Sequence, residues 1–206
     1  ESSFLGGSSY LTFVKRAIEA VEMGYCNVAV VSYGSNQRSA KTRKIGGVIE
    51  DHTPQKYFEY SQGILSPLSL YALVAQRAFH EWDINSEDLA EIAVSARKYS
   101  LLNEKAFNYG KSELTVDDVL NSGIISSPLH KLDCCLVTDG GGAVLITNDK
   151  IAESLGLAKI KVKGFGQLDT HISYSQMPNY LITGAEQSSK NALSQSKMLL
   201  DDIDIF

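Results

Sequence analysis

The sequence predicts a layered α/β fold, in which amphipathic helices alternate with short apolar strands. Three observations predict it. A helical pattern from Ser9 to Met23 feeds an apolar run through a tight turn at Gly24, capped helical patterns follow between Pro67 and Asn121, and two further apolar runs flank Asp139-Gly140-Gly141-Gly142.

In the first helix Leu11, Val14, Ile18 and Val21 recur at steps of three and four, the spacing of one buried face, and Gly24 supplies the C-terminal cap. Asn27 to Ser32 (NVAVVS) is β-branched and apolar, long enough for a buried strand and too short for a helix. Tyr33-Gly34-Ser35-Asn36 ends it with turn chemistry. Residues 36–66 are polar and rich in Gly, Ser and Lys, with aromatics clustered in Tyr57-Phe58-Glu59-Tyr60, and read as an excursion over a surface or a partner subunit.

Pro67, suited to a first helical turn, opens a helix to about Trp82 with Leu70, Leu73, Val74 and Ala78 on its stripe. Asn85 or Ser86 caps the next, which runs to about Tyr99, and Glu87 and Asp88 suit the positive end of its dipole. Thr115 repeats that logic for a short helix ending near Asn121. Leu132–Thr138 and Ala143–Thr147 then form two strands joined by the glycine run, a hairpin or tight crossover needing φ > 0. Asn148 caps a helix closed by Gly156, and Lys159 to Phe165 alternates like a half-exposed strand. A polar loop with His171, Tyr174 and Tyr180 leads to a last helix from about Ala185 to Leu200. Asp204-Ile205-Phe206 resembles the first half of a buried strand, and both ends read as cuts through a larger domain.

Composition narrows the function. At 206 residues, 44% hydrophobic and 21% charged, the chain is ordinary globular protein. A net charge of -5 with scattered basic residues argues against a nucleic-acid partner, and the short cluster Lys41, Arg43, Lys44 reads as a solvated loop. No apolar run approaches the roughly 20 residues of a membrane span, and no secretory leader is visible. Three cysteines, Cys26, Cys134 and Cys135, form neither a disulfide framework nor a zinc pattern and fit a reducing, cytoplasmic setting.

Few motifs carry chemistry. Gly140 to Gly142 lacks the Gly-Lys-Ser/Thr ending of a phosphate loop. His52, His80, His130 and His171 have no metal-ligand spacing; His80 reads as a partly buried imidazole, and His130 and His171 fall in loops. The cysteines read as small hydrophobes within or beside strands. Gly6-Gly7-Ser8-Ser9 is either a plain loop leading into the helix or a place where free N–H groups meet an oxyanion or thioester carbonyl.

The order GGSSYLTFVKRAIEAVEMGYCNVAVVSYGSNQRS resembles the nucleophile helix and following strand of thiolases, nearest the lipid-transfer-protein-like branch. SPLSLYALVAQRAF, LAEIAVSARKYSLLN and SSPLHKLDCCLVTDGGGAVLIT are similar to that branch's central region. The resemblance implies a five-layered α/β/α/β/α fold, present here as an incomplete piece. It divides the chain into 1–35 (end of the N-terminal half), 36–130 (loop region with helices), 131–184 (remaining strands of that half and a connecting loop) and 185–206 (start of the C-terminal half).

It also implies a homodimer acting on acyl-CoA thioesters, with no covalently bound cofactor, and a small OB-fold, zinc-ribbon partner that helps bind CoA. The family's nucleophilic cysteine lies seventeen residues before the glycine ending its helix, which places Gly7 there. Glycine cannot be acylated, so a ping-pong route is closed. Gly7 and Ser8 would then face substrate, and ITGAEQSSKNAL resembles the stretch that meets pantetheine, implying Gly184 and Ser189, with helix capping by Ser188 or Ser189 the alternative. Retro-aldol cleavage of a β-hydroxyacyl-CoA suits the missing cysteine. A conventional acetyl-CoA acyltransferase and a catalytically silent acyl-CoA-binding or scaffold domain remain the alternatives. The acid and base would lie beyond Phe206.

Overall fold

The structure is a computed structural model that describes residues 7–41, 53, 55–156, 158–171 and 173–205. Gly6, Arg43, Lys44, His52 and Phe206 lie outside the described residues. The chain divides into two compact units, one within 1–36, 139–170 and 183–206, the other within 37–138 and 171–182.

The first unit starts with α1, Ser9–Glu22. It ends in a Schellman turn: Gly24 takes φ +75°, its N–H donates to Val21 O at 3.1 Å, and Tyr25 N–H donates to Ala20 O at 2.9 Å. β1, Val28–Ser35, pairs antiparallel with β4, Gly140–Thr147, in a register running from Val28 opposite Thr147 to Ser35 opposite Gly140. α1 packs on this ribbon, with Tyr10 edge-on to Tyr33 at 5.2 Å between ring centres. The apolar run at Val28 is therefore covered on one side only, and Val30 (61% exposed) and Leu145 (52%), direct cross-strand partners, stay open. That corrects the expected fully buried strand.

The glycine run is a second correction. Gly140 to Gly142 open β4 instead of turning a hairpin, and none has positive φ. Their small size serves approach: a Cβ on Gly141 would sit 2.8 Å from Tyr33 O across the ladder. α5, Asp149–Ser154, is capped by Asn148 as expected, its Oδ1 accepting from Ile151 N–H at 3.1 Å. Residues 158–170 form no strand among the described residues; Gly164 and Gly166 lie against α6, Ala185–Ser196, with no ladder, and Ile160 and Val162 are exposed. α6 stops at Ser196, short of the expected Leu200, because Lys197 turns left-handed at φ 58°. Residues 203–205 hold no strand, and Ile205 is exposed.

The second unit is mostly helical. α2, Pro67–Trp82, and α3, Ser86–Leu101, match their sequence patterns closely, and α4, Val116–Leu120, follows Thr115. Asp83, left-handed at φ 51°, ends α2. Before α2, residues 55–62 form a π-turn and a 3-10 turn. Leu132–Thr138 is a 3-10 turn and irregular chain instead of a strand. The residues before it make a small hairpin, β2 (Ile124–Ser126) with β3 (Leu129–His130), that the sequence pattern did not show. Val119 is fully buried where α3, α4 and the 131–133 turn meet.

Candidate active site

In the first unit a cavity of about 240 Å³ lies between the N-terminal turns of α1 and α6 and the extended segment 165–169. Ser8, Leu11 and Thr12 line it from α1, Phe165 to Asp169 from the segment, and Gly184, Ala185 and Ser188 from α6. Its wall is built by close packing. A Cβ on Gly166 would fall 1.8 Å from Ser188 O and one on Gly164 2.1 Å from Ala192 O, so two glycines at a strand-like step of two lie against two helix positions four apart. The other side of the segment meets α1: Thr12 donates to Gln167 Oε1 at 3.1 Å, and Lys15 Nζ sits 5.7 Å from the Phe165 ring centre. Phe165 N–H donates to Gln195 Oε1 of α6 at 2.7 Å, and Gln167 Nε2 donates to Asp169 Oδ2 at 2.7 Å.

Two helix beginnings thus converge on one cavity. Neither N-cap residue, Ser8 nor Gly184, closes its helix with a side-chain hydrogen bond, although Thr183 Oγ1 accepts from Ala185 N–H at 3.2 Å. The lining mixes apolar side chains with hydroxyl and amide groups and the Asp169 carboxylate, and among the described residues it holds no lysine, arginine or cysteine. It suits an uncharged group bearing hydrogen-bond acceptors, not a phosphate.

The predicted positions fall unevenly around it. Ser8 and Gly184 line the cavity; Gly7 is exposed just before α1, with open space where a Cβ would stand. Ser189 points its hydroxyl to Glu186 O at 2.9 Å on α6, while Ser188 lines the cavity. Thr12, Phe165, Gln167 and Asp169 were missed. The step-of-two glycines in Gly164-Phe165-Gly166 are the signal that could have marked their segment as a close-packed wall.

The second unit gathers polar groups of its own. Glu59 is buried and accepts from Ser175 N–H at 2.8 Å. Tyr174 stands edge-on to Tyr71 and Tyr180, at 6.5 and 6.2 Å between ring centres. Burial, then the neighbouring Tyr71 and Glu59, hold the Tyr174 hydroxyl above its usual range, so it stays protonated at neutral pH. His130, expected in a loop, is buried on β3 with Nδ1 3.3 Å from Asp133 Oδ2. The cysteines are not buried: Cys26 and Cys134 are half-buried and Cys135 is exposed. No cluster of three His, Cys, Asp or Glu among the described residues is placed to hold a metal ion, and no described helix is long and apolar enough to cross a membrane.

Comparison with known proteins decides the family. No family model matches the chain. A solved Ltp2-ChsH2(DUF35) aldolase superposes with a TM-score of 0.77 at 28% identity, covering 96% of this chain and 52% of that one. The chain is thiolase-like. Its curated relatives include a 17-hydroxy-3-oxo-4-pregnene-20-carboxyl-CoA lyase of Mycobacterium tuberculosis, 30% identical over 85% of this chain and 46% of the relative. A steroid side-chain-cleaving aldolase of Thermomonospora curvata is 32% identical over 73% and 39%. An acetyl-CoA acetyltransferase of Methanothermobacter thermautotrophicus is 27% identical over 93% and 49%. The thiolase-like chain therefore spans about half the length, or less, of the curated relatives it matches.

Proposed function

We propose that this chain is part of an enzyme that cleaves a carbon–carbon bond of a β-hydroxyacyl-CoA by retro-aldol chemistry, without a cysteine acyl-enzyme. The observation that carries the reading is the cavity itself: helix beginnings face it, no cysteine among the described residues lines it, and Gly7 stands just before Ser8, the N-cap of α1. A base takes the β-hydroxyl proton, the Cα–Cβ bond breaks, and an aldehyde or ketone leaves. The electron pair passes to the thioester enolate, whose charge backbone N–H groups at a helix start can stabilise until Cα is protonated. No covalent nucleophile is needed.

In this reading Gly7 and Ser8 face the thioester, while Gly184 and the serines of α6, Ser188 on the cavity and Ser189 beside it, attend the uncharged pantetheine arm. The described lining residues include no cation, which fits the arm and not the phosphates of CoA. The homodimer, the cytoplasmic setting and a small OB-fold, zinc-ribbon partner belong to the same proposal; the structural relative is named for two proteins, Ltp2 and ChsH2(DUF35), which supports a heteromeric assembly.

A second reading, a conventional acetyl-CoA acyltransferase, is favoured by the acetyltransferase relative that matches 93% of the chain. The full-length protein with a β-hydroxyacyl-CoA separates the two. Release of a carbonyl product without added free CoA supports the lyase. Thiolysis of a 3-ketoacyl-CoA, with no such release, overturns it.

A further inference from the structure

The segment 165–169 touches α1 and α6 in alternation. Its even-numbered glycine at 166 lies against the Ser188 carbonyl, and Leu168 meets Gly184; its odd-numbered side chains meet α1, through Lys15 over Phe165 and through Thr12 to Gln167. Gln167 joins the wall to α1 by a hydrogen bond. Asp169 sets the direction of that bond. A carboxylate can only accept, so it draws the Gln167 amide nitrogen toward itself, which turns the amide oxygen to Thr12. Thr12 is buried, at 6% exposed, so its hydroxyl depends on protein partners and not on water.

We propose that Gln167 is a positioning residue for the ligand of this cavity. Its amide, oriented by Asp169, holds the wall at one spacing from the first turns of α1 and so fixes the width into which an uncharged, amide-bearing arm is laid. The proposal rests on the reading of the cavity as the CoA-thioester site.

The test is calorimetric titration of the full chain with acetyl-CoA. Ser188→Trp fills the cavity and must abolish binding; if it binds as the parent does, the cavity is not the site and the underlying reading fails. Given that loss, Gln167→Leu weakens binding roughly three- to tenfold at every pH, the range expected from one hydrogen bond. Gln167→Glu weakens it similarly at about pH 8 and recovers toward about pH 5, because the introduced carboxyl shares a proton with Asp169 and regains a donor. General loosening of the wall would leave both variants equally weak and without that recovery. Parent-like affinity in both variants, or equal weakness at both pH values, overturns the proposal.

Discussion

α3 and α4 of the second unit begin in one way, and α1 and α6 at the cavity in another, while α2 starts from Ser66 without a side-chain cap. α3 closes on itself: Asn85 Oδ1 accepts from Glu87 and Asp88 N–H at 2.8 and 3.2 Å, and Asp88 returns the bond to Asn85 N–H at 2.8 Å. α4 does the same, with Asp118 N–H donating to Thr115 Oγ1 at 3.1 Å and Asp118 Oδ2 accepting from Thr115 N–H at 3.0 Å. α1 and α6 start from Ser8 and Gly184 without such boxes, and their first turns line the cavity. A closed cap satisfies a helix's own first N–H groups, whereas a start without one leaves that task to other partners, as Thr183 Oγ1 does for Ala185 N–H at 3.2 Å. The difference separates two helix starts closed by their own side chains from two whose first turns line a cavity.

The largest expected effect comes from closing the distance at the cavity wall. Gly166→Val places a branched side chain where a Cβ already meets the Ser188 carbonyl at 1.8 Å, and backbone cannot rotate away as a side chain could. α6 must shift, at a cost of about 3 kcal/mol, the upper end of ordinary overpacking. Gly142→Ala, with nothing within 4 Å of the new carbon, should change stability by less than about 0.5 kcal/mol. Urea denaturation of both variants makes the check, and equal stabilities would show that α6 does not rest on the segment.

This contrast also marks what the sequence could reveal. α2, α3 and the caps at Asn85, Thr115 and Asn148 were legible because each depends on residues within a few positions of one another. Gly24 was legible for the same reason. The cavity was legible in part: Ser8 and Gly184 announce helix beginnings, but Thr12 and Gln167 meet across 155 positions, and no local pattern encodes that. Gly140 to Gly142 misled because a glycine run suits a turn and a close ladder equally well; the register opposite Tyr33 decides between them. Lys159 to Phe165 misled because period two gives extended backbone and not a pairing partner.

A middle-sized effect should come from the closed caps. Asn85→Ala removes the acceptor for two N–H groups of α3 and should destabilise the chain by about 1 kcal/mol. Asn85→Ser, which keeps an N-cap acceptor, should restore most of the loss. Denaturation midpoints measure it. Acetyl-CoA affinity should stay unchanged in both, since α3 belongs to the other unit and not to the cavity; a parallel loss of binding would erase the distinction between the two kinds of helix start.

The smallest effect is electrostatic. Asp118 is held below the usual carboxylate range, first by the Thr115 hydroxyl at 2.7 Å and then by the Thr115 backbone N–H, with desolvation opposing both. A depressed folded value means that the stability Asp118 adds is fully present above its unfolded value, about 3.9, and is lost as pH falls through the lower folded value. Glu186, in the first turn of α6, is also depressed, but by hydrogen bonding and charge from Lys190 and not by a cap. Added salt should therefore raise the Glu186 titration while moving Asp118 much less, because screening weakens an exposed ion pair more than a local hydrogen bond. Thr115→Val should do the reverse, raising Asp118 and leaving Glu186 in place. Side-chain carboxyl titrations followed by NMR would resolve the two, and an Asp118 that ignores the loss of the Thr115 hydroxyl would mean that α4 is not closed by its own cap.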